Sequence, residues 1–225
     1  MRRFLFENSL SLGFGALFLG TVVAQSFAGQ HALNDEARLH DGQATSWLDF
    51  VLSPSFGGAL LENWQSEFLQ FTLFILATVW LVQKGSNESK PLGDVGVESD
   101  RKQLVGRHAP ADAPAPAKAT GGLWRWVYEN SLLLAMGAIF FLSWGGQSVN
   151  NWRMWNEQLT EHGLRTVGWL DYVLGADFWE RTLENWQSEF LAVGTMAVFT
   201  IYLRQRGSSE SKPVGAAHRE TGSSG

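Results

Sequence analysis

Glu62-Asn63-Trp64-Gln65-Ser66-Glu67-Phe68-Leu69 stands immediately ahead of the apolar run from Gln70 to Val82, and the same eight residues return as Glu184 to Leu191, ahead of Ala192 to Leu203. Acidic groups that lead straight into an apolar stretch need a reason, because a charge in hydrocarbon is costly. The return of the motif is no isolated coincidence. Adding 122 to a residue number carries the first half of the chain onto the second without a gap. Glu7-Asn8-Ser9-Leu10 lands on Glu129-Asn130-Ser131-Leu132, Gln25-Ser26 on Gln147-Ser148, and His40 on His162. Trp47-Leu48-Asp49 lands on Trp169-Leu170-Asp171, and Glu88-Ser89-Lys90-Pro91 on Glu210-Ser211-Lys212-Pro213. A fixed offset held over this length is the mark of a tandem duplication.

The duplication divides the chain into a first unit, 1–91, and a second, 123–213. Between them lies an Ala/Pro-rich linker, 92–122, and after them a polar tail, 214–225. Alternating Ala and Pro from Ala109 to Ala117 builds no core, so the linker is expected to be extended and solvated. The small polar tail is expected to be disordered. Of the 225 residues, 45% are hydrophobic and 17% charged, the latter well below the roughly 25% of an ordinary soluble domain. A net charge of −5 argues against nucleic acid as a partner. With no Cys, there is no disulfide, thiolate metal site or thiol nucleophile.

Each unit carries two apolar segments. The first is Leu10 to Phe27, or Leu132 to Val149; the second begins near Leu61, or Leu183, and ends at Val82, or Leu203. A helix needs about 20 residues to cross a hydrocarbon core of roughly 30 Å. The second segment reaches that length only by drawing its Trp-Gln-Ser-Glu stretch into the outer part of the membrane. The expectation is an all-α membrane protein of four transmembrane helices, arranged as two parallel tandem repeats of a two-helix unit. Only Arg38, Arg153, Arg165 and Arg181 of the 17 basic residues fall in the loops within the units. The rest lie in the N-terminus, linker and tail, which places both termini in the cytoplasm of a multi-pass cell-membrane protein. A rival reading makes Met1 to Ala28 a cleaved signal peptide, with Ser26-Phe27-Ala28 at the cleavage site. The equivalent segment from Trp124 to Ser148 lies mid-chain, where no signal peptide can be.

On a helix, Asn63, Glu67 and Gln70 share one face at i, i+4 and i+7. Asn185 and Glu189 recur in the second unit, while Ala192 replaces Gln70. These five residues form the candidate intramembrane polar site. A carboxyl inside the bilayer faces the bundle interior or a wet cavity and marks a proton or ion route. The competing reading is structural: Glu67 and Glu189 hydrogen-bond a neighbouring helix, through Gln25 or Gln147, and fix packing. Trp47, Trp64, Trp169 and Trp186 read as anchors at the membrane interface. The stretches from Trp47 to Leu52 and Trp169 to Leu174 read as short interfacial helices. Asp177-Phe178-Trp179-Glu180 has the spacing of a helix-starting capping box. Glu7 and Glu129, near the first helices' N-termini, read as structural partners of nearby Arg. His40 and His162 are too few to make a metal site.

Three features together carry a resemblance: the octapeptide, Arg2-Arg3-Phe4-Leu5 running into Glu7-Asn8-Ser9-Leu10, and Gly85-Ser86 followed by Glu88-Ser89-Lys90-Pro91. The chain resembles a family of bacterial integral membrane proteins classed only as a domain of unknown function. The resemblance implies membrane location and brings no activity, substrate or catalytic residue. No Gly-rich phosphate loop and no nucleophile motif is present either. The sequence therefore points to a non-enzymatic scaffold or interaction protein with no cofactor. Its partners are expected to be the lipid bilayer, a second copy of the chain and a protein the sequence does not identify. The alternative is a small channel or transporter that moves protons or cations past Glu67 and Glu189.

Overall fold

The computed structural model describes residues 1–40 and 42–222, and among these every regular element is helical, with no strand. Helix α1, Arg2–Glu7, is cut from α2, Ser9–Leu39, at Asn8 (φ −116°, ψ 15°). The Asn8 side chain donates to the Phe4 carbonyl at 2.8 Å, sharing that acceptor with its own backbone N–H at 3.1 Å. The break recurs between α6, Leu123–Glu129, and α7, Ser131–Glu161. There Asn130 (φ −110°, ψ 10°) donates to the Trp126 carbonyl at 2.8 Å. At both places an Arg–Glu pair staples the preceding turn, Arg3 to Glu7 and Arg125 to Glu129, each at 2.6 Å.

Helices α2 and α7 have 31 residues each and run well past the expected ends at Phe27 and Val149. The polar residues that follow contain no proline, so nothing stops the helix where the apolar run stops. Each is about 46 Å long, more than a bilayer's hydrocarbon thickness. Short helices follow where they were expected: α3, Trp47–Val51, and α8, Trp169–Val173. Ser46 caps α3, accepting the Asp49 N–H at 3.3 Å while its hydroxyl donates to the Asp49 carboxylate at 2.5 Å. Helices α4, Pro54–Trp80, and α9, Ala176–Tyr202, have 27 residues each. Among the described residues two helices, α2 and α7, are long and apolar enough to cross a membrane. Helices α4 and α9 match the length, but each carries a polar octapeptide in its middle.

The expected capping box does not form: helix α9 begins two residues before the position that Asp177 would cap, with Gly175 at its N-cap and no side-chain cap. Asp177 therefore lies inside the first turn and pairs with Arg181 at 3.2 Å. Its charge still suits the positive end of the helix dipole.

Spatial proximity groups the chain into two units: Met1–Leu60 with Gln147–Tyr172, and Leu61–Gly146 with the chain from Val173 onward. In the first, the Asn34 carboxamide clamps the chain after α2, donating to the Thr45 carbonyl at 3.1 Å and accepting the Thr45 N–H at 2.7 Å. Asn156 does the same to Val167 at 3.0 and 2.8 Å. In the second unit, α7 meets α4 closely. A Cβ on Gly146 would lie 2.7 Å from Leu61 Cδ1, and one on Gly137 would lie 3.8 Å from Thr72 Cγ2. A side chain at 146 would require the end of the Leu61 side chain to shift.

After α4 and α9 the chain closes twin loops. The Ser89 and Ser211 hydroxyls accept the N–H of Gln83 and Gln205, each at 2.9 Å. Gly85 and Gly207 supply the left-handed turns at φ 87° and 81°.

The linker is not extended chain. Within 92–122 it forms turns, a 3₁₀ turn at Gly106–His108 and helix α5, Ala115–Lys118. Asp100 binds the buried Arg125 at 2.8 Å, and the Gly96 N–H donates to the Val79 carbonyl at 2.7 Å. Ion pairs and backbone hydrogen bonds to α4 and α6 hold it, together with the buried Val105 and Ala117. The tail departs from expectation too. Its described part, through Gly222, is hydrogen-bonded to the first loop, while 223–225 lie outside the described residues. The Gly222 N–H donates to the Ser86 carbonyl at 3.0 Å, and the Gly85 N–H to Thr221 Oγ1 at 2.8 Å.

Candidate functional site

The helical register of α4 and α9 puts the two octapeptides to different uses. On α4, Gln65 and Ser66 are buried, whereas Asn63 and Glu67 point to the exposed side and Gln70 is half-buried. The single Ser66 hydroxyl proton is shared between the Asn63 carbonyl at 3.0 Å and Glu189 Oε1 at 3.3 Å. Gln65 Oε1 accepts the indole N–H of Trp186 at 2.7 Å. The Gln65 amide nitrogen is buried with no partner. A buried donor left unpaired costs about 1–3 kcal/mol, so the packing around it has to be favourable enough to hold it.

That packing is aromatic. Trp186 lies 5.8 Å from Trp144 and 6.4 Å, edge-on, from Trp179. Trp144 stacks with Phe140 at 5.7 Å and with the fully buried Phe178 at 5.8 Å. Each such ring pair contributes roughly 0.5–1.5 kcal/mol beyond its buried area. The Trp144 indole N–H reaches Thr182 Oγ1 at 3.4 Å. Trp186 thus sits in an aromatic cluster, and Trp64 is half-buried on α4. Trp47 and Trp169 are held by Ser26 and Ser148, whose hydroxyls accept their indole N–H groups at 3.0 and 3.1 Å. Their rings remain partly exposed.

The five candidate polar residues do not converge on one cavity. Glu67 is exposed and makes no hydrogen bond or ion pair among the described residues. Asn185 turns back along its own helix to the Arg181 carbonyl at 2.8 Å. Only Glu189 reaches the other octapeptide, through Ser66. Neither Gln25 nor Gln147 bonds these carboxylates; Gln147 is fully buried with both amide atoms unpartnered. No cluster of three or more metal-capable side chains exists among the described residues. The Ser66–Glu189 and Gln65–Trp186 hydrogen bonds join α4 to α9.

Sequence reasoning missed three polar features: the Asn34 and Asn156 clamps, the Trp144 cluster and Lys212. Lys212 is buried, and its ammonium donates to the carbonyls of Gly85 (2.6 Å), Glu220 (3.0 Å), His218 (3.2 Å) and Ala217 (3.3 Å). Asn34 and Asn156 stand at the 122-residue offset, a polar pair kept by both repeats, and that signal marks them.

A family model described as a domain of unknown function (DUF6766) matches residues 1–223, so the chain belongs to that family. No curated protein and no solved structure matches it.

Proposed function

We propose that this member of DUF6766 is a multi-pass membrane protein with a non-enzymatic scaffolding or interaction role. Helices α2, α4, α7 and α9 are its four spans, and both termini lie in the cytoplasm. The observation that carries the reading is the surface of α2, where Leu10, Phe14, Leu17, Leu19, Val23 and Phe27 all stand exposed. These residues lie on opposite sides of the helix, and an apolar surface exposed all round is a liability in water and costs nothing in hydrocarbon. The skew of basic residues towards the termini and linker supports the orientation.

The second reading is a small channel or transporter. What favours it is the Ser66–Glu189 contact, which brings one octapeptide's carboxylate against the other octapeptide. Against it stands Glu67, which is exposed on α4 and makes no hydrogen bond to the other octapeptide. The scaffold reading is the stronger.

The chain has no cysteine, so single cysteines report topology cleanly. Both Ser99 and Glu161 are exposed. In spheroplasts of an expressing bacterial host, four spans leave Ser99→Cys protected from an impermeant maleimide and Glu161→Cys labelled. If only α2 and α7 cross, the pattern inverts, because the linker then lies outside and Glu161 inside. Extraction of the chain by alkaline carbonate would overturn membrane integration altogether.

A further inference from the structure

The loops that follow α4 and α9 meet at equivalent positions. Asn87 Nδ2 points at the Ser209 carbonyl from 3.5 Å, and the two residues stand 122 positions apart. Next to them come Glu88 and Glu210, again 122 apart. Each donates its N–H to the serine hydroxyl two residues back, at 3.1 Å, so the two loops make the same turn. The fully buried Ser86 ties the first loop to α9, its hydroxyl 3.0 Å from that of Thr200. A seam built from like positions sets like charges against each other, and the Glu210 charge acts on Glu88.

The seam leaves two oxygens without a donor. Asn87 Oδ1 and Glu88 Oε1 are both buried and unpartnered. An amide oxygen and an ionised carboxylate only accept, so neither serves the other. A carboxylate oxygen so placed is costly as an anion and much less so once protonated. Burial pushes the Glu88 carboxyl above the usual 4.5, and the Glu210 charge adds to the push. The other charges nearby do not offset it. Lys90 meets Glu98 at 3.4 Å, while the Lys212 ammonium and the Arg204 Nη groups donate to backbone carbonyls. His218 meets the Ile201 carbonyl through Nδ1 at 2.9 Å, and Lys84, Arg206, Arg219 and Glu220 are exposed.

We propose that this seam is an acid-tightened clasp: on acidification Glu88 takes up one proton, its repulsion from Glu210 ends and the two loops draw together. Loss of the proton loosens them. A protonated carboxyl is also a donor, so a seam that lacks a donor gains one. Lys212 spreads the change. It belongs to the second loop, donates to the Gly85 carbonyl of the first at 2.6 Å, and holds the tail through Ala217, His218 and Glu220. Loops that part therefore pull on the tail's own bonds to the first loop, Gly85 N–H to Thr221 and Gly222 N–H to Ser86. Below 4.5 the proton is held in clasped and parted loops alike, and the tightening is complete. It is lost as pH rises through the raised value. The clasp acts at the ends of α4 and α9 and does not rest on how many helices cross a membrane.

Amide exchange at Gly85 and Gly222, divided by the intrinsic rate at each pH, reads the clasp in the full, detergent-solubilised chain. From about pH 8 down to about pH 5, protection at both should rise by up to about tenfold per pH unit, the limit for one proton. Glu88→Gln should hold the high, acid level throughout, with no slope. Glu210→Gln should keep the rise and move it to lower pH, because Glu88 stays buried while the opposing charge is gone. Flat protection in the wild type overturns the clasp. So does a Glu88→Gln chain that keeps the slope or is loose at every pH. A rise that Glu210→Gln leaves at the wild-type pH overturns the opposition of the two carboxylates on which the clasp stands. Where Glu88→Gln fails to fold, the Glu210→Gln shift decides alone.

Discussion

Lys212 is buried with no carboxylate in direct contact, although the Glu220 charge favours its ammonium form. Four backbone carbonyls surround its ammonium, whereas Lys90, its counterpart, meets the Glu98 carboxylate at 3.4 Å and the Gly96 carbonyl at 3.2 Å. Burial lowers the Lys212 pKa below the ordinary 10.5, with the Arg204 charge acting in the same direction. In the window between that lowered value and 10.5, the unfolded chain holds more protons than the folded one. Stability therefore rises with pH across that window. Lys212→Met should abolish this slope, which is read as the denaturation midpoint at pH 7 to 10 for wild type and variant. An unchanged slope would mean that Lys212 is solvated. In the folded protein the exposed Lys84 should react with amine reagents, and Lys212 should not.

At the level of elements, the elbow after each long helix is set by one carboxamide. Asn34 and Asn156 each bind a backbone N–H and C=O eleven residues on. The repeats even exchange a helper: Gln30 donates to the Thr45 carbonyl at 2.9 Å, and Trp152, at the equivalent place, donates to the Val167 carbonyl at 2.8 Å. Asn34→Ala leaves the Thr45 N–H without its acceptor and should cost about 1–3 kcal/mol in denaturant unfolding. Asn156→Ala should cost a similar amount, and a loss in only one of the two would separate the repeats energetically. The existence of these elements was legible in the sequence, because apolar runs and the fixed offset mark helices. Their ends were not. The long helices run on because polar residues without proline continue a helix as well as apolar ones do. Helix α9 starts at Ala176 rather than at the hydroxyl or carboxylate that a capping pattern singles out. The linker's fold is carried by Asp100 and Arg125, a pairing across sequence that composition does not reveal.

For the molecule as a whole, a scaffold and a conductor differ in one measurable respect. Proteoliposomes of the wild type should show no proton or cation flux above empty vesicles, and Glu67→Gln with Glu189→Gln should leave that unchanged. A wild-type flux lost in the double variant would move the protein to the conducting class. The candidate polar site was only partly legible for a related reason. Gln65 and Gln187 are the same residue in the same octapeptide, and only three-dimensional cover makes one buried and the other bare. The clasp at Lys212 also orders events in time. The carbonyl of Gly85 waits for a lysine 127 residues downstream, and the Ser86 carbonyl for Gly222. At about 5–20 residues per second, translation leaves the first loop open for roughly 6–25 s. Its closure depends on synthesis having run past Lys212 and Gly222, so a ribosome that stalls before them releases a chain whose first half is visibly unfinished to a protease.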